Sequence, residues 1–234
     1  MAKTQKYEPA DKMIDLISDN YNLLQVMSRF GLSLGFGDKT VKEVCDMNSV
    51  DCPTFLAVVN FVVEGYSRMD ESGNELSIPA LVEYLRRAHI YFLDFCLPGI
   101  RRKLISAIDC SDDDVSFLIL KFFDEYMKEV RKHMEYEERT VFTYVDELLE
   151  GKRLKNYQIS TFSKHHDSIS GRLTELKNIL IKYCPDKANK SLLNAALFDV
   201  YTCEEGLDSH CKIEDYLFVP AILKLEKRLI QDEE

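Results

Sequence analysis

The spacing of apolar residues along the chain is that of amphipathic α-helices. Apolar side chains recur at intervals of three and four through four long segments, at roughly residues 78–109, 112–150, 155–183 and 187–231. The breaks between these segments are short, and short connections between long helices favour antiparallel neighbours. The pattern therefore predicts an all-α fold whose larger part is an up-down-up-down four-helix bundle.

A smaller helical region precedes the bundle. Apolar positions predict one helix over residues 9–28, a second that begins at Thr40, and a third over about residues 51–66. Thr40 has Glu43 three residues later, which is the signature of a capping box. The glycines within residues 31–37 indicate a tight turn, because their spacing does not match a nucleotide-binding loop and no strand precedes them.

The clearest change of composition is the polar run at residues 69–76. We interpret this run as a connection between two domains. The predicted boundary places a small helical domain at residues 1–72 and the four-helix bundle at residues 73–234. Ser77 and Pro79 are residue types that favour a helix N-cap and a first helical turn, so the bundle is expected to begin there.

Composition supports the helical interpretation and excludes some classes of partner. Only 9 glycines and 6 prolines occur in 234 residues, so helix breakers are scarce. The net charge of -10 argues against non-specific nucleic-acid binding and against an anionic membrane surface. No apolar run approaches the ~18 residues of a membrane span, and the N-terminus lacks the apolar core of a signal peptide, so we expect a cytoplasmic protein. The seven cysteines are an odd number without CxxC spacing, which favours free thiols.

Two histidines are followed by a glutamate one helical turn later, His133 by Glu137 and His210 by Glu214. A spacing of four residues places both side chains on one helix face, where an imidazole and a carboxylate can hold the same metal ion. An ion pair on a solvated face is the alternative. Apolar residues flank both pairs at helical spacings, which favours the inner face instead.

The other histidines could serve the two remaining helices. His89 lies among aromatic and aliphatic residues, so it can point inward, although a core histidine with a hydrogen-bond partner is the simpler alternative. His165 and His166 are adjacent, and adjacent helical positions diverge by about 100°, so at most one should face the core. His166 shares a face with Phe162 and Ile169, whereas His165 is predicted to be more exposed. We therefore choose His166.

Together these residues form a set of candidate metal ligands with at least one from each long helix. The set is His89, His133, Glu137, His166, His210 and Glu214. Four imidazoles and two carboxylates suit two first-row metal ions, which the carboxylates could bridge. Calcium or magnesium would want more oxygen, and a structural zinc site would more often use cysteine. The donor types favour two iron ions and do not exclude manganese or zinc.

The order H…HxxxE…H…HxxxE over four helices resembles the hemerythrin-like (HHE cation-binding) domain, across about residues 78–231. The stretches HMEYEERTVF and SHCKIEDYLFVP resemble the two ligand motifs of that family, whose glutamates bridge two irons. KHHD resembles the family's third-helix ligand histidine, which is followed by an acidic residue. The resemblance therefore makes His166 the corresponding ligand. The preceding DLISDNYNLLQVMSRFGLSLGFGDKTVKEVC resembles the small helical domain of the iron-sulfur cluster repair di-iron proteins. That family usually carries a cysteine pair in the glycine loop, where this chain has SLGFG.

The resemblance implies a non-haem di-iron protein that binds O₂, NO or peroxide during nitrosative or oxidative stress. The narrower resemblance to the repair proteins adds the repair of iron-sulfur clusters, with iron-sulfur proteins as partners. The sequence leaves open whether the protein forms a homodimer. The missing cysteine pair favours an alternative, a di-iron sensor that signals to a protein partner without catalysis. A third hypothesis is a helical scaffold whose histidines only fill the core. Whether the protein is an enzyme stays open at this point.

Overall fold

The computed structural model describes residues 6–64, 76–108, 114–152, 157–164, 169–183 and 187–231. Across these residues the regular structure is helical, apart from one isolated antiparallel bridge between Lys12 and Thr40. The predicted all-α fold class is therefore confirmed. None of the helices in these ranges is both long and apolar enough to cross a membrane.

The chain divides into two compact units. We call residues Met1–Ala88 with Lys212–Glu234 the terminal unit, and His89–Cys211 the central unit. The domain boundary predicted between residues 72 and 73 lies outside the described residues, so it stays a prediction.

Four short helices begin the terminal unit: α1 (Met13–Asp19), α2 (Leu23–Arg29), α3 (Val41–Met47) and α4 (Cys52–Glu64). The capping box predicted at the start of α3 is confirmed, since the Glu43 backbone N–H donates to Thr40 Oγ1 and the Thr40 backbone N–H donates to Glu43 Oε2. Asp51 caps α4 in a similar way, because its Oδ1 accepts a hydrogen bond of 2.9 Å from the Thr54 backbone N–H. The starts of both helices are therefore set by local sequence.

The prediction of a single helix near the N-terminus is wrong. Residues 9–28 do not form a single helix, because the backbone at Asn20 is extended, with φ -148° and ψ 99°. The Asn20 side chain accepts a hydrogen bond of 3.0 Å from the backbone N–H of Asn22. Asparagine side chains compete in this way with the helical hydrogen-bond pattern, and the break separates α1 from α2. The predicted turn at Gly31, Gly35 and Gly37 does form, with φ values of 75°, 92° and 63°.

The long segments form the rest of the structure, and their described parts follow the four predicted segments closely. The α-helices are α5 (Ile78–Ile90), α6 (Leu97–Ala107), α7 (Asp114–Tyr136), α8 (Thr143–Leu149), α9 (Ile169–Lys182), α10 (Lys190–Ile213) and α11 (Val219–Gln231). Three π-helical segments interrupt them at Tyr91–Cys96, Glu137–Phe142 and Glu214–Phe218, and a 3₁₀ helix covers Ile159–Lys164. Each of the first, second and fourth predicted segments is thus continuous except for a change of helix type.

Apolar packing and ion pairs join the helices of the central unit. The ion pairs are Arg101 with Asp124, Lys103 with Asp199, Arg172 with Glu129, and Lys177 with Glu204. Most of these charges are partly exposed, so each pair contributes little to stability. Burial of the aromatic and aliphatic side chains of α7, among them Phe123 and Val130 at 0 % exposure, is the larger stabilising effect.

The capping box generates a stability prediction. Thr40→Ala removes the side-chain acceptor at the start of α3, and we expect it to lower the free energy of unfolding by about 1 kcal/mol. Thr202→Ala is the matched control, because Thr202 lies within α10 and donates only to the Phe198 carbonyl. Urea unfolding followed by circular dichroism measures both. Equal losses in the two variants would contradict a capping role for Thr40.

Candidate metal centre

The first His–Glu pair meets a third residue in the central unit. His133, near the end of α7, has its Nε2 2.7 Å from Oε1 of Glu137, the residue one turn later. His89, near the end of α5, has its Nε2 2.9 Å from the other oxygen of the same carboxylate, Oε2. Glu137 is completely buried and His133 is 12 % exposed. One buried carboxylate therefore faces two imidazoles, one on each of its oxygens.

The second His–Glu pair completes a compact group of donors. His210 lies on α10, and Glu214 follows one turn later in the same chain segment. The His210 ring contacts the His89 ring edge-on, with 5.2 Å between the ring centres. One ligand atom from each of His89, Glu137, His210 and Glu214 lies within 4.8 Å of the other three, and all four side chains are buried. His133 does not belong to this four-membered group.

The chemistry of this donor set fits a metal ion. Two carboxylates in an apolar interior are costly to bury as anions unless a positive charge accompanies them. A divalent ion among two imidazoles and two carboxylates would neutralise that charge. Mixed nitrogen and oxygen donors are typical of first-row transition metals. The four residues can therefore hold such an ion between them.

His89 is held by a second carboxylate on its far side. Its Nδ1 lies 2.9 Å from Oε1 of Glu138, while its Nε2 faces Glu137. The ring also stacks on Phe142, with 5.5 Å between ring centres and 14° between planes. Burial lowers the pKa of His89, but the hydrogen bonds to Glu137 and Glu138 outweigh it, so the pKa is raised overall. In the metal-binding tautomer, Nδ1–H would donate to Glu138 and fix the direction of Nε2.

Changes of helix type coincide with the candidate ligands. Two π-helical segments begin at the glutamate of a His–Glu pair, at Glu137–Phe142 and Glu214–Phe218. The third, Tyr91–Cys96, begins two residues after His89. Single π turns within α-helices are frequent at functional sites. Neither the π turns nor the role of Glu138 is expected from residue spacing.

The predicted ligand of the third helix is not among the described residues. Because His165 and His166 both lie outside them, the choice of His166 stays a prediction. The structure brings the other five together around Glu137, four of them in one group and His133 on the remaining oxygen. Their roles as metal ligands likewise stay predictions.

The sequence matches one known protein family over most of its predicted bundle. The model of the hemerythrin HHE cation-binding domain matches residues 80–222, which is more than half of the chain. The chain belongs to the hemerythrin family. The matched range contains all six predicted ligands, and it confirms the resemblance at the level of the domain. No curated protein matches this hemerythrin-family chain significantly. The narrower resemblance to iron-sulfur cluster repair proteins stays a prediction.

The Glu138 contact generates a prediction about metal affinity. Glu138→Gln keeps the side-chain shape but removes the charged acceptor of His89 Nδ1. Residues that hold a metal-binding histidine in place typically contribute 10- to 100-fold to metal affinity. We therefore expect the Fe²⁺ affinity of Glu138→Gln to fall by about that factor. Glu135→Gln is the matched control, because Glu135 is an exposed glutamate on the same turn. Anaerobic competition between the protein and a chelator for Fe²⁺ measures the affinity. Unchanged affinity in Glu138→Gln would show that His89 is oriented by its packing alone.

Proposed function

We propose that this hemerythrin-family protein holds two iron ions and binds O₂, NO or peroxide at an open coordination position. The observation that carries the proposal is the two-sided contact of Glu137, with His89 on one oxygen and His133 on the other. A carboxylate arranged in this way suits a bridge between two ions. The family description as a cation-binding domain supports the same assignment.

We base the proposed number of ions on which donor atoms lie close enough together to bind the same ion. One ion can be reached by His89, Glu137, His210 and Glu214, whose ligand atoms are mutually close. His133 stands outside that group, yet its Nε2 lies 2.7 Å from Glu137 Oε1. A second ion beside His133 would share Glu137 with the first, and it would need further donors. His166 on the third helix is the donor we propose for it.

The side chains around the candidate centre would control its contact with water and its geometry. Phe142 stacks on His89, and Phe92 packs against His210 with 6.0 Å between ring centres. Both phenylalanines are fully buried, so they shield the imidazoles from solvent and limit their rotation. Iron bound there supplies reversible electron transfer and an exchangeable position for a small ligand. The protein residues orient the imidazoles and keep the surroundings of low polarity.

We further propose a role in the response to nitrosative or oxidative stress, including the repair of iron-sulfur clusters. Support for repair comes from the likeness of the N-terminal segment to the helical domain of repair proteins, which would make iron-sulfur proteins its partners. A second candidate is a sensor that signals to a protein partner without catalysis. It is favoured by the glycine loop, since residues 31–37 contain no thiol for cluster chemistry.

Removing the proposed bridge should remove metal. The wild-type protein should hold about two iron ions per chain. We expect Glu137→Ala and Glu214→Ala each to lose most of this iron. Both variants should also show a smaller rise in melting temperature when iron is added. Glu205→Ala, an exposed residue of α10, is the control. Elemental analysis after anaerobic reconstitution, with thermal melts, tests this. Full iron content in both variants would refute the bridging assignment.

The third-helix ligand can be assigned by a pair of neighbouring variants. His166→Ala should lower iron stoichiometry towards one ion per chain, whereas His165→Ala should keep the wild-type content. The same elemental analysis is the readout, with circular dichroism to check that both variants fold. The reverse outcome would move the ligand to His165.

Repair and sensing differ in what the iron-loaded protein does to another enzyme. Reduced, iron-loaded protein is mixed with an enzyme whose iron-sulfur cluster has been damaged by NO, and recovered activity is measured against the Glu137→Ala variant. Repair predicts recovery that depends on Glu137. Reversible NO binding in the optical spectrum without any recovery would favour the sensor. Absence of both would contradict the proposed small-ligand chemistry itself.

A further inference from the structure

One aromatic contact joins the N-terminal helices to the segment that carries a candidate ligand. The Phe61 ring of α4 packs against the Tyr216 ring, with 6.1 Å between ring centres and 41° between planes. Tyr216 lies in the Glu214–Phe218 π segment, two residues after Glu214. Both α4 and this π segment belong to the terminal unit. The pair is therefore a direct link between α4 and the backbone that positions Glu214.

We propose that metal binding at the candidate centre stabilises α4 through the Phe61–Tyr216 pair, so that the N-terminal helices respond to the occupancy of the centre. The inference rests on the proposed function, since it needs an ion that Glu214 helps to hold. It deepens that function, because it assigns the response of the protein to a named contact within the terminal unit.

Glu214 and Tyr216 lie on different sides of the π segment. Glu214 is completely buried and belongs to the group of four candidate ligands, whereas Tyr216 is 42 % exposed and contacts Phe61. Positions two residues apart on a helix point to roughly opposite sides. A shift of Glu214 towards or away from an ion therefore moves the same short segment against Phe61.

The charge of Glu214 makes the position of the π segment sensitive to the ion. A buried carboxylate is costly to keep ionised unless positive charge lies beside it. A bound divalent ion supplies that charge and holds Glu214 in place. Without the ion, the same carboxylate favours arrangements that bring it towards water. The ion and the packed position of the π segment therefore stabilise each other.

Contacts of α4 connect Phe61 to the other N-terminal segments. Asn60, the neighbour of Phe61, accepts a hydrogen bond of 2.7 Å from the Tyr7 backbone N–H and donates one of 3.0 Å to the Tyr7 carbonyl. Phe55, on the same helix, packs edge-on against Phe30 at the end of α2, with 5.3 Å between ring centres. Stabilising α4 therefore also stabilises the segment before α1 and the end of α2.

The size of the effect is set by the strength of one aromatic pair. A pair of rings in such a tilted contact changes an equilibrium constant by about three- to tenfold. Coupling between two sites is reciprocal, so a pair that metal binding stabilises by this factor raises metal affinity by the same factor. The proposal therefore has two readouts, the protection of α4 by metal and the loss of metal affinity when the pair is removed.

Hydrogen exchange of the full-length protein tests the first readout. Wild type, Phe61→Leu and Tyr216→Leu are compared with and without Fe²⁺ under anaerobic conditions, and mass spectrometry of peptides follows the exchange of backbone amides. We expect Fe²⁺ to slow exchange in α4 of the wild type by about three- to tenfold, and to leave α4 unchanged in both variants. Exchange near His133, which lies in the central unit, should slow in all three proteins and so report metal binding itself.

The two regions distinguish failure of the coupling from failure of the metal site. Slower exchange near His133 without any change in α4 of the wild type would overturn the coupling. An equal effect of Fe²⁺ on α4 in the wild type and in both variants would also overturn it. A wild type that binds no Fe²⁺ would overturn the proposed function together with this inference.

Fe²⁺ affinity, measured by competition with a chelator, is the second readout. Phe61→Leu should lower the affinity by about three- to tenfold, and adding Tyr216→Leu should lower it no further, because the pair is already lost. Tyr201→Leu is the control for Tyr216, since both tyrosines are 42 % exposed and Tyr201 instead contacts Lys177. The partly exposed Tyr216 keeps the test decisive even if Phe61→Leu folds poorly.

A second control separates the coupling from a general loss of stability. Phe55→Leu makes the same change on the same helix, but the Phe55 ring packs against Phe30. It should lower the stability of the protein and leave the Fe²⁺ affinity unchanged. Equal losses of affinity in Phe55→Leu and Phe61→Leu would overturn the role of the Phe61–Tyr216 pair.

Discussion

The arrangement around the candidate metal centre depends on two carboxylates placed where water cannot reach them. Glu137 and Glu214 are both completely buried. An ionised carboxylate in such surroundings costs several kcal/mol unless positive charge lies beside it. His89 lies against Glu137, and the His210 ring contacts the His89 ring. The same constraint explains why the donors lie close together, since isolated buried charges at these positions would destabilise the fold.

The change from α to π geometry at each glutamate shows how the helices accommodate this requirement. A π turn holds one residue more than an α turn, so side chains after it are rotated relative to an uninterrupted helix. Apolar residues beyond Glu137, among them Val141 and Phe142, are nevertheless fully buried. The extra residue therefore lets the chain turn a carboxylate inward and still return its apolar side chains to the core.

Helical periodicity was sufficient to predict the long segments and both His–Glu pairs, because each depends on residues within one or two turns. It was also sufficient for the cap at Thr40. It failed at Asn20, where a side chain competes with the helical hydrogen bonds without disturbing the apolar spacing. Glu138 was missed because it reaches His89 across 49 residues of sequence. Contacts between distant segments leave no periodic signal along the chain.

The absence of sulfur from the donor group bears on the identity of the metal. Cys203 and Cys211 lie on the same helix as His210, yet among the described residues neither joins the group of candidate ligands. Cys211 follows His210 directly, so its side chain diverges by about 100° along the helix. Thiolate ligands are typical of closed structural zinc sites, whereas imidazole with carboxylate suits a redox-active first-row ion with exchangeable positions. A donor set of two imidazoles and two carboxylates suits the second kind of ion better than the first, in agreement with the proposed di-iron assignment.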